Sequence, residues 1–126
     1  MAYKIESRPA SNIVTVTYQG KVSLDTRLQV VEHVCHKYSD LKPFRVLVDV
    51  QDLEMDLLLS EQEAFGEYLS NHYDLRSARV AVLHQPSFNP NAVIDAKAFS
   101  NGYRLAQFSS RAKAEQWLLE SESDSD

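Results

Sequence analysis

Two stretches of this chain are apolar on consecutive positions instead of alternating: Val46, Leu47, Val48 and Val50 within FRVLVDVQDLE, and Val80, Ala81, Val82 and Leu83 within ARVAVLH. An extended segment with apolar side chains on both faces must be covered on both sides, which is the condition of strands in a parallel sheet. Between them lies SEQEAFGEYLSNHY, where Ser60 followed three residues later by Glu63 has the spacing of a capping box. Ala64, Phe65, Tyr68, Leu69 and His72 then recur at intervals of three and four, one apolar stripe of a helix. The pattern predicts strand, helix and parallel strand joined by a right-handed crossover.

The flanking segments extend the same alternation. Tyr3 to Glu6 and Ile13 to Tyr18 read as an antiparallel hairpin across the turn-rich RPASN, with Val14, Val16 and Tyr18 on one side and Ile13, Thr15 and Thr17 on the other. Gly20 closes the second strand, and Ser23 precedes a helical run marked by Leu24, Leu28, Val31, Cys35 and Tyr38. Pro43 ends that run because it lacks an N–H and forces Lys42 out of the helical region. After His84 the loop QPSFNPN leads to a third helix, with Asn89 as its cap and Pro90 at its first position. Its apolar face is Val93, Ile94, Ala96, Ala98 and Phe99, and Gly102 supplies a left-handed stop. Tyr103 to Phe108 forms a last strand, and Ser109 with Ser110 caps a closing helix that turns Ala114, Trp117 and Leu118 inward. The expectation is one α/β domain over residues 1–120: a mixed, mainly parallel sheet of about five strands with an N-terminal hairpin, and four helices. The acidic remainder, 121–126, lacks apolar anchors and is expected to be a disordered tail.

Composition narrows the function classes. A chain of 126 residues can bury a core without metal or disulfide staples. The formal net charge of -5 opposes attraction to phosphate backbones, so nucleic acid is not an expected partner. A lone cysteine, Cys35, sits on an apolar helical stripe and reads as a small core residue of a protein in a reducing compartment. The start MAYKIESRPA has no apolar signal core, and no window reaches the roughly 20 apolar residues of a membrane span. A cytoplasmic protein without cofactor is the expectation.

The succession LVDVQDLE, FGEYL, ARVAVL and GYRLAQFSSRAKAEQWL resembles the SpoIIAA-like family, small relatives of STAS domains, over nearly everything from Tyr3 to Leu119. The resemblance implies a SpoIIAA-like (STAS-like) mixed sheet with its first strand antiparallel, helices in a right-handed superhelix, and distant kinship to lipid-binding CRAL-TRIO domains. It also points to a phosphorylatable serine or threonine at a helix N-terminus after the central strand, as in anti-sigma-factor antagonists. Here the junction reads MDLLLSEQEAFG, so Ser60 is the phosphorylation candidate, without the family's preceding Asp and following Gly.

In an open parallel sheet, ligands bind beyond the carboxyl ends of the strands. The loops expected there, Gln51 to Leu59, His84 to Asn89, and Ser109 with Ser110, make Ser60, His84, Ser87, Asn89 and Ser109 the candidate ligand-binding residues, with helix N-termini facing a small apolar or anionic ligand. Asp49, Asp52, Glu54 and Asp56 are close in sequence, but neighbours on a strand point to opposite faces. His33 and His36 flank Cys35 without a fourth ligand nearby, and no metal site is expected. Met55, Leu57, Leu58 and Leu59 place four large apolar side chains in a loop before a helix: some turn inward, with Leu59 and Ala64 expected as a hydrophobic staple about Ser60, and the rest are either buried in the domain's own core or mark an interface for a homodimer or a regulatory protein partner. No nucleophile is paired with a base and G-x-S-x-G is absent, so an enzyme is not expected. The leading reading is a non-enzymatic binding or regulatory module that works through the 55–59 loop; the alternatives are a carrier of a lipid-like or nucleotide-like ligand at the rim, and a phosphoswitch at Ser60.

Overall fold

Two-sided hydrophobicity forces the central segments to pair side by side with cover above and below. In the computed structural model, which describes residues 2–120, the chain forms β1 (Tyr3–Arg8), β2 (Ile13–Lys21), α1 (Leu24–Tyr38), β3 (Arg45–Glu54), α2 (Leu59–Asn71), β4 (Arg79–Leu83), α3 (Ala92–Ser100), β5 (Leu105–Phe108) and α4 (Arg111–Leu119), with a short 3-10 segment, Tyr73–Ser77, after α2. The stretch 121–126, expected to be disordered, lies outside the described residues. The sheet follows chain order from β1 to β5; β1 is antiparallel to β2 and every later pair is parallel. The expected hairpin, five-stranded mixed sheet and four helices are all present.

Because successive parallel strands are neighbours and crossovers are right-handed, α1, α2 and α3 all fall on one face. There Val14, Val16 and Tyr18 of β2, Val46 and Val50 of β3, and Val80 and Val82 of β4 pack beneath Val30, Val34 and Cys35 of α1, Phe65 of α2, and Ile94 and Ala98 of α3. The opposite residues of the same strands, Ile13, Leu47, Ala81 and Leu83, meet Ala114 and Leu118 of α4, flanked by Phe108 and Trp117. This second layer explains the absence of alternation in β3 and β4. Each buried Leu or Val contributes about 1.5–3 kcal/mol relative to exposure.

Arginines from the sheet fasten α4 by its unsatisfied C-terminal carbonyls. Arg45 donates through Nε to the Leu118 carbonyl at 2.6 Å and through Nη1 to that of Ser11 at 2.7 Å. Arg79 donates to the Glu120 carbonyl at 3.0 Å and lies over the Trp117 ring, 4.2 Å from its centroid. At the other end, Arg111 pairs with Asp49 at 2.7 Å, and Arg8 pairs with Glu115.

Two helices begin where the sequence places them, since Ser23 accepts from the Thr26 N–H at 3.2 Å and Ser110 from the Lys113 N–H at 3.4 Å. The other two starts differ. In α2 the N-cap is Leu58, whose N–H donates to Glu61 at 2.9 Å, so Ser60 stands inside the first turn and Glu63 has no capping role. The buried residue anchoring this entry is Leu57; Leu59 and Ala64, the expected staple, are both exposed. In α3 the cap position belongs to Asn91, because the Asn89 side chain accepts from the Asn91 N–H at 2.9 Å and closes an Asx turn that holds Pro90 outside the helix. Strand β3 also outruns its expected end, with Asp52, Leu53 and Glu54 paired to Gln19, Gly20 and Lys21 beyond an irregularity between Thr17 and Gln19.

Candidate functional site

Between the sheet and the roof of α1, α2 and α3 lies a cavity of about 60 Å³, lined mainly by apolar side chains such as Val16, Val30, Val34, Val48, Phe65 and Leu69. That is roughly the volume of two water molecules in the liquid, each taking about 30 Å³. Arg27, Asn91 and Asp95 give the same cavity its polar part. All three come from elements at the carboxyl ends of the strands: Arg27 from the first turns of α1 after β2, Asn91 and Asp95 from the start of α3 after β4.

Arg27 is 0% exposed. Its position on α1 is the inward one, one turn before Val31 and two before Val34, so helical geometry buries it. Its Nε donates to the Val22 carbonyl at 3.1 Å, Nη1 reaches Asn91 Oδ1 at 3.4 Å, and Nη2 meets the Met55 sulfur at 3.9 Å. The Tyr18 ring lies alongside, its centroid 5.5 Å away. A guanidinium carries five N–H donors and stays protonated in proteins. Here one of the five has a hydrogen bond of ordinary length, although burial already pushes the pKa of Arg27 down. Each guanidinium nitrogen has a partner, and Tyr18 and the Asp56 carboxylate offset part of the burial, but two of the three contacts are long and direct ion pairing is missing among them.

Asp95, 2% exposed, is compensated by amides. Asn91 Nδ2 donates to Oδ1 at 2.8 Å, and Asn89 Nδ2 and Gln107 Nε2 donate to Oδ2 at 3.0 and 2.9 Å. Burial raises its pKa, and the donors from Gln107, Asn89 and Asn91, together with the charge of His84, pull it back. Asn91 thus bridges the buried charges, facing Arg27 with its oxygen and Asp95 with its nitrogen.

Of the residues singled out in the sequence, Asn89 belongs to this network directly, and His84 borders it with Nδ1 2.7 Å from the Gln85 carbonyl oxygen. Ser60, Ser87 and Ser109 are exposed and take no part in it. The rim loops do meet, since Gln85 Nε2 donates to the Gln51 carbonyl at 2.7 Å. The apolar loop divides: Met55 is half-buried, Leu57 enters the core, and Leu58 and Leu59 are 68% and 60% exposed. The carboxylates do not converge, with Asp49 tied to Arg111 while Asp52, Glu54 and Asp56 face solvent. His33 and His36 are exposed and Cys35 is buried, so these sequence neighbours point apart.

Arg27, Asn91, Asp95 and Gln107 were not among the sequence candidates. A signal existed for the first, an arginine at the spacing of an apolar helical stripe. For Asp95 the signal was weaker, an acid amid Ile94, Ala96 and Ala98, in register one turn after Asn91.

No family model and no curated protein matches the sequence. The architecture does have a match among solved structures. The crystal structure of an uncharacterized protein of the DUF3478 family, with a SpoIIAA-like fold, from Shewanella loihica PV-4 superposes with a TM-score of 0.62 over 93% of this chain and 92% of that one, at 16% identity. The fold is SpoIIAA-like. The sequence resemblance is thus supported at the level of the sheet and its helices. Within the SpoIIAA-like frame, no helix among the described residues is long and apolar enough to cross a membrane.

Proposed function

We propose that this protein is a non-enzymatic binding module for a small amphipathic acid, held with its carboxylate at Arg27 and its apolar part among the valines beneath α1. The observation that carries the reading is a buried guanidinium, two of whose three nitrogens make only long contacts, lining a mainly apolar cavity. A carboxylate presents acceptors in the geometry an arginine fork favours and neutralises a buried cation. Asp95 already accepts from Asn89, Asn91 and Gln107, so the vacant hydrogen-bonding capacity is on the donor side. The cavity of about 60 Å³ accommodates only a few non-hydrogen atoms. A longer apolar part enters by displacing side chains, for which the unbranched, half-buried Met55 on Arg27 is the adaptable element.

The test is calorimetric titration with a series of straight-chain carboxylates and the alcohols of matching length, beside native mass spectrometry of freshly purified protein. Acids are expected to bind more tightly than alcohols, and Arg27→Met is expected to abolish the difference. Equal binding of both series, or binding of neither, removes the proposal.

A second reading rests on Leu58 and Leu59, two large apolar side chains left in solvent at the entrance to α2. They supply a surface for a second copy or a regulatory protein. Sedimentation of wild type and Leu58→Asp at several concentrations decides it, since the reading requires an association that the charge abolishes.

A further inference from the structure

Away from the cavity's polar part, the inner face of α1 meets the junction between α2 and the 3-10 segment. Cys35, His72 and Asp74 come together there from distant parts of the chain, each offering one ligand atom, all within 4.8 Å of one another. A tetrahedral zinc with bonds of about 2.0–2.3 Å has ligand atoms about 3.3–3.8 Å apart, so closure needs side-chain adjustments on the order of an ångström. The donor types, one sulfur, one imidazole nitrogen and one carboxylate oxygen, are those of a borderline-soft divalent ion.

The surroundings fit the same ion. His72 is held from two sides: Nδ1 accepts from the Asp74 N–H at 3.2 Å, and Nε2 lies 2.9 Å from Glu32 Oε2. Glu32 is itself hydrogen-bonded by the Tyr68 hydroxyl. A carboxylate on a histidine ring is the outer-shell partner that orients a metal-bound imidazole. The Asp74 carboxylate accepts no hydrogen bond from any described residue, and the cluster contains two carboxylates with no lysine or arginine bonded to them. Burial, with Asp74 and Glu32 nearby, pushes the Cys35 thiol up to about 12. A divalent ion reverses that balance, because coordination deprotonates a thiol outright.

We infer that Cys35, His72 and Asp74 form a divalent-metal site of zinc type, with Glu32 as the carboxylate that orients His72. It uses the cysteine but neither of the histidines adjacent to it in sequence. The ion would pin α1 to the 3-10 segment, replacing one of the hydrogen bonds now made by the His72 ring. The fourth position is left to water.

The test uses the full chain stripped of metal and titrated with Co²⁺ and then with Zn²⁺. Expected are one equivalent of cobalt, a sulfur-to-cobalt charge-transfer band in the near ultraviolet, its displacement by zinc, and a rise in melting temperature with zinc. Cys35→Ala is expected to abolish the band. His72→Gln and Asp74→Asn are expected to weaken binding by more than the roughly 10–100-fold typical of losing an outer-shell partner. Should Cys35→Ala fail to fold, the half-buried His72 and Asp74 keep the test alive, since their variants must lose the zinc-dependent rise in melting temperature. A titration without the charge-transfer band, or cobalt and zinc binding unchanged in His72→Gln and Asp74→Asn, overturns the site.

Discussion

Gly66 is a point of close approach between α2 and α3, and Gly66→Ala measures how tightly the roof over the cavity is set. A Cβ built on Gly66 would lie 2.7 Å from the Ile94 carbonyl oxygen and 2.8 Å from Lys97 Cβ. Neither neighbour is the free end of a side chain, so relief requires the two helices to separate. Inserting a methyl group into a filled contact costs about 1–3 kcal/mol, and a clash against backbone belongs at the upper end. Alanine in a helix returns up to about 1 kcal/mol of propensity. The net loss is therefore about 2 kcal/mol, or a melting temperature lower by roughly 6–10 °C for a domain of this size. Urea unfolding with an unchanged slope, followed by fluorescence of Trp117 on the opposite face, reads it cleanly. A variant as stable as wild type, or more stable, refutes the close packing of α2 on α3.

Three further outcomes follow from the same structure. The folded-state pKa of Asp95 is raised by burial, so the native state holds the proton more tightly than the unfolded chain; its contribution is greatest below the ordinary carboxylate value near 4 and is lost as pH rises through the folded value. The stability of wild type relative to Asp95→Asn should accordingly decline across that window in urea titrations, and parallel pH profiles would rule the assignment out. Leu57→Asp should cost more than about 3 kcal/mol, because it buries an unpaired charge, whereas Leu58→Asp, exposed and at the N-cap of α2, should cost nothing and gain up to about 1 kcal/mol; equal thermal shifts would contradict the division of the apolar loop. Ser23→Ala should cost about 1 kcal/mol as the loss of a true cap, and Ser60→Ala close to none, since Leu58 occupies the cap position; the reverse order in melting temperatures would restore Ser60 to the cap.

The sheet was legible because hydrophobic period is a local signal: the unalternated valines of β3 and β4 require cover on both sides, and the alternation of β2 gives its two faces directly. Helix starts were legible only where the cap acts alone, as at Ser23 and Ser110. At α3 the competing Asx turn of Asn89 shifts the start by two residues, and at α2 Glu61 reaches back to a leucine, a pairing that no residue-type rule anticipates. The rim loops meet through Gln85 and Gln51, and Asn89 alone of the residues nominated there is bonded into the buried network. The principal groups, Arg27 and Asp95, sit on helix faces classified by their apolar neighbours. A charged residue on such a stripe looks like an imperfection in the pattern until its distant partners, Asn91, Met55 and Gln107, are seen beside it.

The most direct test follows the side-chain Nε–H resonance of Arg27 and the methyl groups of Val30, Val34 and Val48 by NMR while a small apolar carboxylate is added. Saturable shifts of all four that vanish in Arg27→Met are the predicted result. Shifts confined to surface residues, or none at concentrations that saturate nonspecific binding, would contradict a ligand held at the buried guanidinium.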